Sequence, residues 1–166
     1  MKKILFVSVM LFAFAMGAYS QSATTTASAS AVIIAPLTIT VQTNLHFGTV
    51  MRSAAAGTVT VSPTDGSRSA LGGVTLSALA PLHSRAVFRV DGETGRTYSI
   101  SLPATDVLIS NGTDQMEVNT FTSDPTPTGS IVAGTSTLYV GATLNVDANQ
   151  ASGAYTGTFD VTVNYN

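Results

Sequence analysis

The last fourteen residues, Gly153 to Asn166, read GAYTGTFDVTVNYN and alternate strictly. Tyr155, Gly157, Phe159, Val161, Val163 and Tyr165 take one parity; Thr156, Thr158, Asp160, Thr162 and Asn164 take the other. Successive side chains of a strand point to opposite faces, so this period gives one apolar face and one polar face. Val, Thr, Phe and Tyr suit a pleated, half-buried surface. A strand this apolar on one side must be paired and covered, in its own sheet or in a neighbour's. Any fold for this chain has to meet that requirement.

The stretches before it point the same way. Ala31 to Val41 is AVIIAPLTITV, with Ile33, Ala35, Leu37, Ile39 and Val41 on one parity. Pro36 falls on the other parity and has no N–H to donate, so an edge or crossing strand is expected. Leu45 to Val50 (LHFGTV) follows, with Gly48 as a bend or bulge. Short strands then recur at 57–62, 73–77, 86–90, 97–102, 107–110, 116–122 and 138–146. Pro63, Asp65-Gly66, Asp91-Gly92, Pro103, Asn111-Gly112 and a Pro-rich loop at 123–129 separate them. In the longest, Leu138, Val140, Ala142, Leu144 and Val146 are expected to face inward. No helical period stands out beyond the N-terminal stretch. The pattern predicts an all-β fold, an immunoglobulin-like antiparallel β-sandwich with Greek-key connections. Uneven strand lengths disfavour a closed barrel.

The N-terminus reads as a secretory signal. Lys2 and Lys3 precede an apolar run from Ile4 to Ala15, and Ala18 and Ser20 are placed for cleavage after Ser20. The run falls short of the roughly 20 residues of a membrane span, and no second such run follows. Gln21 to Ser30 (QSATTTASAS) reads as a flexible leader, and residues 31–166 as a single domain. The expected location is therefore the periplasm, the cell surface or the medium. Beyond Ser20, five arginines face seven Asp and two Glu, a net charge of −4 with His neutral. With no basic cluster, nucleic acid is not an expected partner. There is no cysteine, so stability must come from core and sheet pairing alone.

Chemistry-bearing motifs are missing. His46 and His83 have no ligand-spaced neighbours, and Asp91, Glu93, Asp106, Asp114 and Asp124 are scattered over loops without a calcium-loop pattern. No nucleophile motif is present. No catalytic residue, metal or cofactor is expected. Asn111-Gly112-Thr113 fits a glycosylation pattern, but the tight turn is the preferred reading. Tyr98, Tyr139 and Tyr155 could stack on a sugar, although such residues more often fill cores.

Two resemblances bear on function. LHFGTV, GTVTVSP, AVFRVDGETGRTYSISLP and the C-terminal finish resemble a family of uncharacterised secreted bacterial domains of unknown function, the DUF4402 type. That likeness covers most of the chain from about Ile33 and implies a fold but no activity. The last 28 residues, YVGATLNVDANQASGAYTGTFDVTVNYN, resemble the end of spore-coat-protein-U-like domains, which occur in pilins of archaic chaperone–usher systems. Gln150, Gly153, Tyr155 and the penultimate Tyr165 carry it. It implies a non-enzymatic subunit of a fimbria-like or surface assembly, with like subunits and a periplasmic chaperone as partners. Residues 31–41 are then the candidate donor strand, added to a neighbour's sheet. The alternative is a self-complete monomer that binds a glycan or another surface ligand through its loops.

Overall fold

The computed structural model describes residues 21–166, so the expected signal peptide lies outside the described residues. Residues 21–33 carry no strand, turn or bend, and all are exposed. From Ile34 onward the chain forms one compact unit. Its strands are β1 (Thr38–Thr43), β2 (His46–Phe47), β3 (Val50–Met51), β4 (Gly57–Val61), β5 (Arg68–Gly72), β6 (Thr75–Leu76) and β7 (His83–Ser84). They continue with β8 (Ala86–Asp91), β9 (Thr97–Ser101), β10 (Val107–Ser110), β11 (Gln115–Asp124), β12 (Thr128–Ser130), β13 (Thr135–Val146) and β14 (Thr162–Tyr165). The described residues contain no helix, and so none long and apolar enough to cross a membrane.

The spine is β13, whose inward parity holds as the sequence predicts: Leu138, Val140, Ala142, Leu144 and Val146 are all buried. One edge of β13 pairs with β11. The other edge is shared end to end: Thr135–Val140 pair with β8, and Ala142–Val146 pair with β4. At the fork stands Gly141, where any Cβ would run into the Val61 carbonyl and Pro63. Outside these lie β1 on β8, β5 on β4 and β10 on β11, every pair antiparallel. A second layer has β9 between β12 and β14, with two short ladders, β2–β7 and β3–β6, beside it. The protein is an antiparallel β-sandwich.

Two clusters fill it. Ala86, Phe88, Val90, Tyr98, Ile131, Leu138 and Val140 lie between β8, β13 and β9. Val59, Val74, Val118, Ala142, Leu144 and Val146 lie under the short ladders. The sequence reading differs at several places. The strand expected over 31–41 is a ladder only over Thr38–Thr43, because Pro36 and the residues before it make no sheet pairs. The 67–72 stretch, read as connection, is β5, and part of the expected Pro-rich loop is β12. The terminal strand forms a ladder only from Thr162, with an isolated bridge at Thr156 before it.

The turn after β4 is held as expected at Asp65-Gly66. Ser62 N–H donates to Ser67 O and Gly66 N–H to Ser62 O, at 2.9 and 3.1 Å. The Ser62 hydroxyl first, then the Ser67 amide and hydroxyl, hold the exposed Asp65 carboxyl down to about 2. A carboxyl lowered on folding favours the folded turn above its ordinary value of 3.8 and loses that effect as pH falls toward 2. A carbon-detected NMR titration should find Asp65 titrating well below its ordinary value of 3.8, and Ser62→Ala should return it toward that value.

Candidate functional site

The C-terminal strand is where local sequence and sheet pairing part company. Ser110 and Thr156 exchange both backbone bonds, at 2.9 and 3.0 Å, tying the segment to the end of β10. From Thr162 to Tyr165 it is a ladder with β9. Between the two, Gly157–Val161 make no backbone hydrogen bonds among the described residues. The alternation survives there: Phe159, Val161, Val163 and Tyr165 are half-buried, whereas Thr158, Asp160, Thr162 and Asn164 are exposed. The apolar face packs on the core but is covered only in part. Gly157 rides so close to β10 that a Cβ would press on Leu108 O and Ile109. Gly153 sits in the preceding loop against the Asn111 side chain, and Tyr155 is half-buried.

Beside this unpaired run lies an open groove of about 840 Å³. Its floor is the inner face of the large sheet, with Phe88, Val118, Phe121, Leu144 and Val146. One wall is Leu45, Phe47 and Val50; the other is Tyr155 to Phe159, with Val41 of edge strand β1 at the rim. The Phe159 ring meets Phe121 at 5.0 Å between centroids and Phe88 edge-on at 6.5 Å. Phe121 reaches the groove through a register shift between Asn119 and Thr122, where Thr120 takes a φ of 50°. Such a bulge re-aims a side chain, and here it breaks the parity set by Met116 and Val118.

The walls are fixed by arginines. Arg68 donates to Phe47 O at 2.7 Å and to Ser77 O at 2.8 Å, pinning the β2–β3 connection, whose bend Gly48 takes at φ 73°. At one end Arg52 donates to Asn149 O and Gln150 O, at 2.8 and 2.6 Å. Gln150 Nε2 donates to the Tyr155 hydroxyl, which donates to Ala151 O, both at 2.9 Å.

The five candidate donor residues divide. Leu37 and Ile39 pack on the protein's own core, and Val41 is 53% exposed. Ile33 is 95% exposed. Ala35 is held by its backbone: its N–H donates to Glu93 Oε2 at 3.0 Å, and its carbonyl accepts from the Tyr165 hydroxyl at 2.9 Å. That hydroxyl also accepts from Glu93 N–H, at 2.7 Å. Residues 38–43 thus complete an edge of their own sheet.

The remaining sequence candidates do not converge. His46 accepts from Gly48 N–H through Nδ1 at 2.8 Å; His83 is on the facing strand, one register position away. Among the described residues no group of His and acidic side chains could hold a metal ion. Tyr98 is fully buried, Tyr139 lies under the Arg85 guanidinium at 3.6 Å, and Tyr155 is at the groove end, so the three form no common stacking face. Asn111 closes a turn by accepting from Thr113 and Asp114 N–H. The residues that sequence reading missed are the groove floor, Phe88 and Phe121 above all. Only the bulge and the pairing of distant strands bring them to the unpaired run.

Residues 37–165 match the protein family described as Domain of unknown function (DUF4402). The chain belongs to this family. The DUF4402 match spans β1 to β14, including the groove and the unpaired run, and leaves residues 21–36 outside. Nothing matches among curated proteins or among solved structures.

The partial cover over Gly157–Val161 has a direct consequence for stability. Val161→Asp should cost about 1–3 kcal/mol, less than a fully buried site, because the side chain is only half-covered. Thr162→Asp, on the exposed face, should stay within about 0.5 kcal/mol. Urea melts of the two variants measure the difference, and equal losses would contradict the register.

Proposed function

We propose that this DUF4402 domain is an exported, non-enzymatic subunit of a fimbria-like or surface assembly, joined by β-strand addition. The observation that carries the reading is the seam: a five-residue extended run without backbone partners, next to an apolar groove of about 840 Å³. Strand addition needs both halves. Main-chain bonds supply affinity, and pockets for alternate side chains supply register. Left bare, such an edge beside an apolar groove is a pairing and aggregation hazard. The polar alternate face, Thr158 and Asp160, would stay in water after addition. The pilin-like finish at Gly153, Tyr155 and Tyr165 supports the same reading, and like subunits and a periplasmic chaperone are its partners.

The self-complete monomer draws support from β1, which already occupies its own sheet edge. It leaves the seam unexplained. Analytical ultracentrifugation over a wide concentration range separates the two readings. Strand addition expects chains that grow with concentration and appear as filaments by electron microscopy. A strictly monomeric protein at the highest concentration would favour the loop-binding alternative.

A further inference from the structure

We infer that the free edge of β5 is a self-pairing surface, on which two copies of this chain join by antiparallel β5–β5 pairing about a two-fold axis at Ala70. The contact lies apart from the seam and does not depend on the strand-addition reading.

β5 pairs with β4 on one side, and among the described residues no strand takes its other side. The ladder decides which backbone groups look outward. Antiparallel pairs alternate between residues that exchange hydrogen bonds and residues that do not. Ser62 N–H donates to Ser67 O at 2.9 Å, and Gly73 N–H donates to Ala56 O at 2.8 Å. Carried along the register, the bonded positions between them are Ser69 and Leu71. These two spend their amides and carbonyls on β4, whereas Arg68 and Ala70 turn theirs to the open edge. Ser69–Gly72 are exposed throughout, Leu71 at 77%.

The other edges of the two sheets are blunted. β1 carries a register shift between Val41 and Thr43. β10 is bridged by Thr156 at Ser110 and has Gly157 against Leu108 O. β12 and β14 are only three and four residues long. Bulges, covers and short lengths are how sheets avoid edge-to-edge pairing, as are charges and Pro. β5 has none of these: it carries no Pro, no acid and no register shift. Its one charge, the Arg68 guanidinium, is turned away to Phe47 O, Thr49 O and Ser77 O.

A second copy suits this edge because the five residues complement themselves. With the axis at Ala70, the two Ala70 residues exchange both backbone bonds. Arg68 then stands opposite Gly72 of the second copy, which has no side chain to crowd it. Ser69 stands opposite Leu71 of the second copy, on the outer face, since Ala70 and Arg68 share the side of the buried Val59 and Val61. An axis at Ser69 would instead set the two Arg68 side chains on diagonal positions, about 7–8 Å apart. Gly72, at φ 79°, ends the strand, so the shared ladder is short and the dimer weak and concentration-dependent. Being two-fold, the contact closes on itself and adds one subunit only.

The chain has no cysteine, so introduced thiols report the register without background. Ser69→Cys and Leu71→Cys proteins, each the full chain, are mixed and mildly oxidised. Opposed residues that share no backbone bonds have Cα atoms about 4.5 Å apart, within disulfide reach. The inference expects a mixed disulfide dimer about tenfold above the yield from Ser69→Cys alone. A larger yield from Ser69→Cys alone would overturn this register, and no mixed disulfide would overturn the pairing. Ala70→Pro removes only the outward N–H and leaves the β4 bonds in place, so it should melt like the unsubstituted protein and sediment without the dimer. Ser69→Lys keeps every backbone group, sets two lysines on diagonal positions across the axis, and should weaken the dimer about tenfold. A dimer unchanged in both variants would overturn the inference. Chains grown from the seam should persist in Ala70→Pro, which separates this contact from strand addition.

Discussion

Val140→Asp should unfold the domain or cost more than about 4 kcal/mol, a large share of the roughly 5–15 kcal/mol that holds a domain folded. Val140 has no exposed surface. It sits opposite Ala86 on one side and Ser123 on the other, among Phe88, Tyr98 and Leu138. No cation belongs to that cluster, so an ionised carboxylate would be buried without a partner. Thr137→Asp is the control on the same strand. Thr137 is exposed and opposite Arg89, so the new charge meets water and a cation and should change stability by less than about 0.5 kcal/mol. Urea unfolding followed by far-UV circular dichroism separates the two outcomes.

Tyr98→Ala is the second large effect, at about 3–5 kcal/mol, because it empties a fully packed site on the central strand of the small sheet. Tyr98 is 0% exposed, and Gly129 of β12 lies directly against its ring. The lost contacts join the two layers. Tyr98→Phe removes only the hydroxyl, which donates to Ser136 Oγ at 3.0 Å, and should cost about 1 kcal/mol. The gap between the two variants in thermal or denaturant melts measures packing apart from hydrogen bonding.

Local alternation is enough to read β13 and the two faces of the C-terminal segment. A strand's period reports which side chains share a face, and Leu138 to Val146 keep theirs without interruption. The same alternation cannot tell whether a strand is paired. Gly157–Val161 and Thr162–Tyr165 look alike in sequence, yet only the second has a ladder partner, because β9 ends at Ser101 opposite Thr162. Residues 31–41 look like one strand in sequence, yet only Thr38–Thr43 pair with β8. The groove floor is the least legible part. Phe121 lies off the parity of Met116 and Val118, and only the bulge at Thr120 turns it inward.

Amide hydrogen exchange at Gly157–Val161 tests this account most directly. In dispersed subunits these amides have no acceptors among the described residues and should exchange rapidly, while those of β13 are protected. In assembled chains the amides that face the added strand should slow by about a hundredfold or more. Chains in which Gly157–Val161 still exchange as fast as in the dispersed protein would contradict strand addition at the seam.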